Sequence, residues 1–584
     1  MNKFIIFVLL LIIILFHVIN NYIWLRNDTS YLMHDSHHHF LFSLNVFNEM
    51  KQSIIPLPSR VFERGMMHNR WHGILVGYVT APFYFITGMS QDMGVMINTT
   101  LFFIILILST YGIGKIIFNQ QAGLLSAFII GMYPQIFNHL RIYMLDLPLT
   151  ALVCLSIYFL LRSEKFTRKY YSFLFCFTFV LGFLIKFNYL IFIIGPLGVI
   201  LFKKVTDQNF NMKIKKDIAY KICIGISILL ILSFPFMKLK LISILNRIYD
   251  STWIKQLCTA VFIQKNNSIG PFMLEWLVAI GKYWLWLVHE MYNTIISFFF
   301  LFIFVVSLIL FLKRKIKYKS LIFMWIFLPL IIMSLFIYFS YPFHSLDRYV
   351  MPILPPIAII SAVTIMSINY KIIKKFIIFF VLTFGIFQYS AISYNLSLLP
   401  EEIALYLPDR IFGVNNYFSR ISLFSRDIPV RYRNDNDKYS HPFKNKLQIE
   451  QMLRKILSGE EGSKRSLSVF FLDNIPEIYE PIEYLSYINN YPINIIINSL
   501  SEEFFYLEVS KISKESIAWV DYAVIAEEPV ILGLSVRSQK RVMQSRHIFG
   551  QTKSNFHLIN KFRLGSKNNI LLYKNSKIHP AKET

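Results

Sequence analysis

The sequence is short of charge and short of cysteine, and each shortage excludes something. Only 16% of its 584 residues are Asp, Glu, Lys or Arg, whereas 55% are hydrophobic and 17% aromatic. A soluble enzyme of this length needs a more polar surface, so the composition points to lipid as the solvent of most of the chain. Of the four cysteines, Cys154, Cys176 and Cys223 lie inside apolar runs and Cys258 stands alone, which leaves neither a disulfide framework nor a cysteine metal site. Acidic residues number 34 against 59 Lys plus Arg, for a formal net charge of +25. That excess falls in short clusters between apolar runs, where it sets orientation against lipid headgroups, and it gives no sign of a nucleic-acid partner. Internal repeats and low-complexity linkers are absent.

What is present is a series of apolar runs. The first, Met1 to Leu25, carries one Lys and then about twenty apolar residues, the thickness of a bilayer core. It ends in His17, Asn20, Tyr22 and Trp24 rather than in the small residues of a cleavage site, and so reads as an uncleaved anchor. Further runs at roughly 95–118, 121–137, 147–161, 171–185, 189–202, 218–236, 293–312, 320–339, 350–369 and 376–394 are apolar enough to span. The expected fold is a polytopic α-helical membrane protein of about eleven transmembrane helices.

The segment His72 to Gly88, interrupted by Gly77 and Pro82, decides the sidedness of every later span. The basic clusters at Lys3, Arg162 to Lys169, Lys203 to Lys221, Lys313 to Lys319 and Lys371 to Lys375 all fall on the cytoplasmic side only if this segment does not cross. It is therefore expected as a juxtamembrane or re-entrant helix. The outer face then holds a first loop at 26–94, a second at 238–292 with Trp276, Trp284 and Trp286, and a tail at 395–584 after a transmembrane module at 1–394. In the first loop Phe40, Leu44, Phe47 and Met50 share one helical face. The tail reads as an extracytoplasmic α/β domain, with helices at Leu447 to Leu457 and through Tyr487, strands at Ser466 to Leu472, Ile493 to Ile497 and Tyr522 to Ile525, and a final hairpin turning at Gly565 to Asn568.

Polar residues that carry chemistry gather at the outer ends of these spans. In His34-Asp35-Ser36-His37-His38-His39, either Asp35 or Ser36 is placed to cap a helix, whose N-terminal N–H groups and dipole keep the Asp35 carboxylate ionised. Two readings are open: a cap only, or a carboxylate able to accept a proton. Three adjacent histidines point in different directions from one helix, which disfavours a metal site. Arg141 and Asp146 lie where two spans meet, close enough in sequence to pair. Lys186 interrupts some thirty apolar residues at about headgroup depth, suited to a lipid phosphate or to snorkelling into solvent. Arg348 offers bidentate phosphate contact, with Asp347 as its local alternative. Asp435-Asn436-Asp437 has the Asp-x-Asp form of nucleotide-sugar sites, but in an outer tail it reads as a solvated turn.

The order of these features resembles the GT-C class of integral membrane glycosyltransferases, in the branch of protein O-mannosyltransferases and the lipid A aminoarabinose transferase. An Asp in the first outer loop is followed by Arg141 to Leu149 with Leu-Asp-x-Pro-Leu, by Gly182 to Lys186, and by Arg348-Tyr349 leading to Pro352 and Pro355-Pro356, over roughly residues 1–390. The hairpin ending in Leu571-Leu572-Tyr573-Lys574 is similar to the tail end of bacterial members. The chain departs from the pattern in having Asp35-Ser36 where many relatives have Asp-Glu, Trp71-His72-Gly73 in place of a Pro-rich segment, and no Arg around Met96 to Asn98.

The resemblance implies inverting transfer of a sugar from a polyprenyl-phosphate donor to an acceptor hydroxyl on a cell-surface glycan, lipid A or protein at the outer face of the plasma membrane. Asp35 is then the catalytic base, and Lys186 and Arg348 bind the donor phosphate. Asp146 positions the acceptor or orients Arg141, and neither metal nor other cofactor is required. The alternative is a transporter or lipid flippase, which repeated halves with interrupted helices would mark. A noncatalytic scaffold would leave Lys186 and Asp35 without a role.

Overall fold

The computed structural model describes residues 2–28, 32, 34–52, 74–186, 188–206, 307–311, 313, 316, 318–340 and 347–394. In the tail it describes 402–406, 410–411, 414–415, 420–425, 446–458, 467–471, 482, 484–485, 493–497, 520–527, 543, 546–547, 549–551, 553–564 and 568–576. The chain divides into two compact units. One comprises Met1–Trp24, Arg70–Phe85 and Asp92–Val430, and the other Leu25–Asn69, Ile86–Gln91 and Arg431–Thr584.

The first unit is helical. Its anchor α1 (Lys3–Asn27) shows Phe4, Ile5, Phe7 and Ile12 outward, as expected where the solvent is lipid. Between α1 and the next long helix lie α3 (Ile74–Thr80), a 3₁₀ turn (Ala81–Phe83) and a four-residue helical turn (Tyr84–Thr87); the first of these comes after α2 (His34–Gln52), which belongs to the other unit. At 1.5 Å per residue this run covers about 20 Å, too little to cross a bilayer core of about 30 Å. Pro82 stands in the first turn of the 3₁₀ segment, where its missing N–H costs no hydrogen bond.

Next in the chain are α4 (Gln91–Ile117), α5 (Gln120–Met132), α6 (Pro134–His139), α7 (Asp146–Arg162), α8 (Lys169–Ile185), α9 (Tyr189–Val205), α10 (Lys319–Ser340), a 3₁₀ segment (Asp347–Ile353), α11 (Leu354–Met366) and α12 (Lys371–Ser393). Asn119 caps α5 by accepting the Ala122 N–H at 2.9 Å. Two helices meet backbone to backbone here: a Cβ on Gly123 would lie 2.5 Å from the Tyr111 carbonyl oxygen, and one on Gly114 2.8 Å from the Gly123 Cα. That small-residue crossing substitutes for a hydrophobic driving force that lipid does not supply. Helix α11 is buried almost throughout, whereas α12 exposes Ile372, Phe376 and Phe379.

Among the described residues four stretches are long and apolar enough to cross a membrane, namely Lys3–Asn27, Gln91–Ile117, Tyr349–Met366 and Lys371–Ser390. The runs expected at 121–137 and 147–161 differ in outcome. The second is α7, but the first breaks at Tyr133, which is extended (φ −69°, ψ 127°) because Pro134 comes next. The span expected at 218–236, most of that at 293–312 and the second outer loop lie outside the described residues.

After α12 the first unit carries two antiparallel pairs, β1 (Glu402–Tyr406) with β4 (Arg420–Ser425) and β2 (Arg410–Ile411) with β3 (Val414–Asn415). The second unit holds a five-stranded mixed sheet in the order β6-β5-β7-β9-β8, from β5 (Leu467–Phe471), β6 (Ile493–Ile497), β7 (Tyr522–Ala526), β8 (Phe556–Leu564) and β9 (Asn568–Asn575). β5 runs parallel to β6 and β7, and the β8–β9 hairpin joins antiparallel to β7. Helix α13 (Lys446–Ser458) repeats Ile449, Met452, Leu453 and Ile456 at helical spacing and packs them on Val469, Phe471, Tyr522, Val524 and Leu572. On the opposite face Phe470, Ala523, Ile525, Phe549, Phe556 and Tyr573 form a second cluster. Tyr487, Gly565 and the Asp435-Asn436-Asp437 turn lie outside the described residues.

Candidate active site

The candidate residues fall in both units, and the first unit brings two of them, Asp146 and Lys186, into contact. Asp146 opens α7, where the unpaired backbone N–H groups of a helix start favour a carboxylate. Its Oδ1 accepts from the Lys186 Nζ at 2.8 Å, with the Lys186 side chain 6% and the Asp146 side chain 1% exposed. Lys186 is the residue that ends α8: its backbone is extended (φ −154°, ψ 134°), and the chain turns there into α9. The interruption that Lys186 makes in a long apolar stretch is thus a helix break, and the ammonium at the break turns inward to Asp146 instead of snorkelling to solvent. Its other face meets the ring of Tyr349, 4.4 Å from the centroid.

Neighbouring groups hold this arrangement. A Cβ on Gly182 would lie 2.2 to 2.6 Å from the Tyr189 ring, so the ring crosses α8 where there is no side chain. The Tyr189 hydroxyl donates to the Ser156 Oγ of α7 at 2.6 Å, tying the helix after Lys186 to the helix that begins with Asp146. The segment leading into α7 is braced from three directions. The Asn21 Nδ2 donates to the Leu140 carbonyl at 2.8 Å, the Asn98 Nδ2 to the Met144 carbonyl at 3.4 Å, and the Tyr143 and Thr80 hydroxyls share a hydrogen bond of 2.6 Å.

Arg141 does not pair with Asp146, although their spacing in sequence suggests it. Asp146 is turned to Lys186, while the Arg141 guanidinium lies over Trp24 at 4.7 Å, with Phe137 and Tyr389 at 5.6 and 5.9 Å, and donates to the Ser393 Oγ. Arg141 comes just after the end of α6, and Asp146 starts a new helix beyond the turn that follows. Arg348 lies in the Asp347–Ile353 3₁₀ segment, which also carries Tyr349; its side chain is outside the described residues.

Asp35 belongs to the second unit. Helix α2 spans His34–Gln52, with Asp35 in its first turn. An acid in the first turn faces the positive end of the helix dipole. Phe40, Leu44 and Phe47 are buried as one face, together with Ser36 and His37. The His37 and His38 rings stand 5.5 Å apart edge to face, and among the described residues no three His, Cys, Asp or Glu side chains gather as they would around one ion. Tyr189 and Ser156 are supporting residues that sequence reasoning misses, and Tyr349 enters it only as part of the Arg348-Tyr349 motif. Tyrosines are common throughout this chain, and only the proximity of Tyr349 to Arg348 in sequence singles one out.

This architecture has a known counterpart. The chain matches the crystal structure of ArnT from Cupriavidus metallidurans in the apo state with a TM-score of 0.54 and 9% identity, over 96% of this chain and 97% of that one. The ArnT structure bound to undecaprenyl phosphate matches with a TM-score of 0.53 and 9% identity, over the same shares of both chains. The chain is a multi-pass membrane protein with the GT-C fold. Residues 71–236 match the sequence profile of the dolichyl-phosphate-mannose-protein mannosyltransferase family, a stretch that contains Arg141, Asp146 and Lys186. No curated protein matches the chain by sequence. The resemblance to the GT-C class drawn from the ordered motifs is borne out by the fold and the profile together.

Proposed function

We propose that this chain is an inverting glycosyltransferase that moves a sugar from a polyprenyl-phosphate donor to an acceptor hydroxyl at the outer face of the plasma membrane. The observation that carries the reading is the ion pair of Lys186 and Asp146 under the Tyr349 ring, a cation kept buried at the end of a span. Buried charges in membrane segments are costly and are retained for function. Undecaprenyl phosphate in the related fold supports a lipid phosphate as the group this cation meets.

In the reaction the acceptor oxygen forms a bond to the anomeric carbon as the bond from that carbon to the phosphate oxygen breaks. The electron pair leaves with the polyprenyl phosphate, and the acceptor proton passes to the Asp35 carboxylate, a step that typically contributes about 10²- to 10⁴-fold. Lys186 and Arg348 neutralise the phosphate as its charge grows, so the step needs no metal. Asp146 holds the Lys186 ammonium in place before the donor arrives and shares it afterwards. Arg141, fixed among aromatic rings, orients the acceptor. The N-terminus lies in the cytoplasm and the tail outside, where it faces a glycan, lipid A or protein acceptor.

The test compares envelope lipids and glycans of a deletion strain with those of its parent. Loss of one sugar modification together with accumulation of its lipid-linked donor supports transfer. If every modification remains while a labelled polyprenyl-phosphate sugar stays on the inner leaflet, the chain is a flippase and the assignment fails.

A further inference from the structure

We infer that Tyr484, in the tail, and Gln91, at the start of α4, are positioning residues for Asp35, closing a clasp around the first turn of α2. The inference rests on the assignment of Asp35 as base in the proposed function. Leu32, three residues before Asp35, donates its backbone N–H to the Gln91 Oε1 at 3.1 Å. Phe40, five residues after it, sets its ring against that of Tyr484 with centroids 5.8 Å apart and planes tilted by 57°. The Tyr484 hydroxyl in turn donates to the Met89 carbonyl at 3.4 Å. Met89 and Gln91 are two residues apart, so both tethers return to one short segment and the ring of contacts is complete.

All the side chains in this ring are withdrawn from solvent: Phe40 is 0%, Tyr484 6% and Gln91 7% exposed. Ile482, two residues before Tyr484, is 0% exposed in the core between α13 and the sheet, which gives the clasp a rigid anchor. Asp35 sits between the two tethered points, so α2 can neither slide nor tilt at that turn without breaking one of them. A general base has to come within hydrogen-bond reach of the proton it takes. Misplacement by about 1 Å costs on the order of a hundred-fold in rate.

The experiment uses the full chain in membranes supplied with radiolabelled undecaprenyl-phosphate mannose and, in parallel, undecaprenyl-phosphate aminoarabinose. Tyr484→Ala and Gln91→Leu are each expected to lower kcat for transfer about ten- to a hundred-fold while the donor KM and retention of labelled undecaprenyl phosphate stay unchanged. Combined with Asp35→Asn, neither is expected to lower the residual rate further, because residues that act through one group are not additive. Gln91→Leu lies outside the core of the tail and guards against simple misfolding of Tyr484→Ala. Parental turnover in both single variants, or further loss in the double variants, overturns the inference. If Asp35→Asn itself transfers normally, the base assignment fails separately, and hydrogen exchange at residues 34–40 then decides the clasp. Faster exchange in Tyr484→Ala and Gln91→Leu upholds it, and unchanged exchange overturns it.

Discussion

Lys186 and Asp146 meet at 2.8 Å with almost no solvent around either, one at the break after α8 and the other in the first turn of α7. Removing one partner of such a pair strands the other charge. Lys186→Met is expected to cost about 3–5 kcal/mol of stability and to abolish transfer. Lys186→Met combined with Asp146→Leu should regain most of the stability and none of the transfer. Thermal unfolding in detergent and a transfer assay on the same preparations separate the two effects, and transfer by the double variant would make the pair merely structural.

If side chains rather than an ion hold the lipid phosphate, Arg348→Met is expected to weaken donor use strongly, and EDTA to change it little. The converse outcome, in which EDTA abolishes transfer, added divalent metal restores it and Lys186→Met is normal, would assign the phosphate to a metal held by His34, His38, His68 or His72.

Asp35→Asn keeps the size and much of the hydrogen bonding of the side chain and loses the base. The chain should reach the membrane in normal amount with transfer reduced about 10²- to 10⁴-fold, whereas His37→Ala should do less. Immunoblots of membranes and transfer rates check this, and near-parental transfer would move the role to Asp146.

Gly182→Ala places a methyl group where the Tyr189 ring lies, 2.2 Å from its nearest ring atom. The ring has to move, and the bond from Tyr189 to Ser156 goes with it. We expect a loss of about 1–3 kcal/mol and poorer donor use. Gly198→Ala, which meets no atom within 4 Å, is the control.

Single cysteines at positions 165, 210 and 316 are expected to be shielded from an impermeant reagent applied outside, and cysteines at 60 and 580 to be labelled. Labelling at 210 with protection at 580 reverses the topology and with it the side on which transfer occurs.

Much of the helical fold was legible because apolar length is a strong signal. The boundaries of α7 to α10 and α12 fall within a few residues of the runs that suggested them. The tail was legible for a related reason, since the β-rich stretches at 467–471 and 522–526 are short, apolar and bounded by polar residues. Partnership was harder to see. Arg141 and Asp146 are five residues apart and do not pair, while Asp146 and Lys186 are forty apart and do. Nothing in a linear pattern says that the turn before α7 rotates Asp146 toward the end of α8.

The helix that carries Asp35 shares a compact unit with residues made much later. Its partner Tyr484 is synthesised roughly 440 residues after Phe40. At about 5–20 residues per second, α2 is complete some 20 to 90 s before Tyr484 is made. During that interval Phe40 lacks its contact with the Tyr484 ring, and an amphipathic helix with an uncovered apolar face settles at a lipid interface. Ribosome-bound intermediates halted before Tyr484 are therefore expected to leave the face of α2 around Phe40 uncovered. The turn that carries Asp35 thus gains its contact with the tail only late in synthesis.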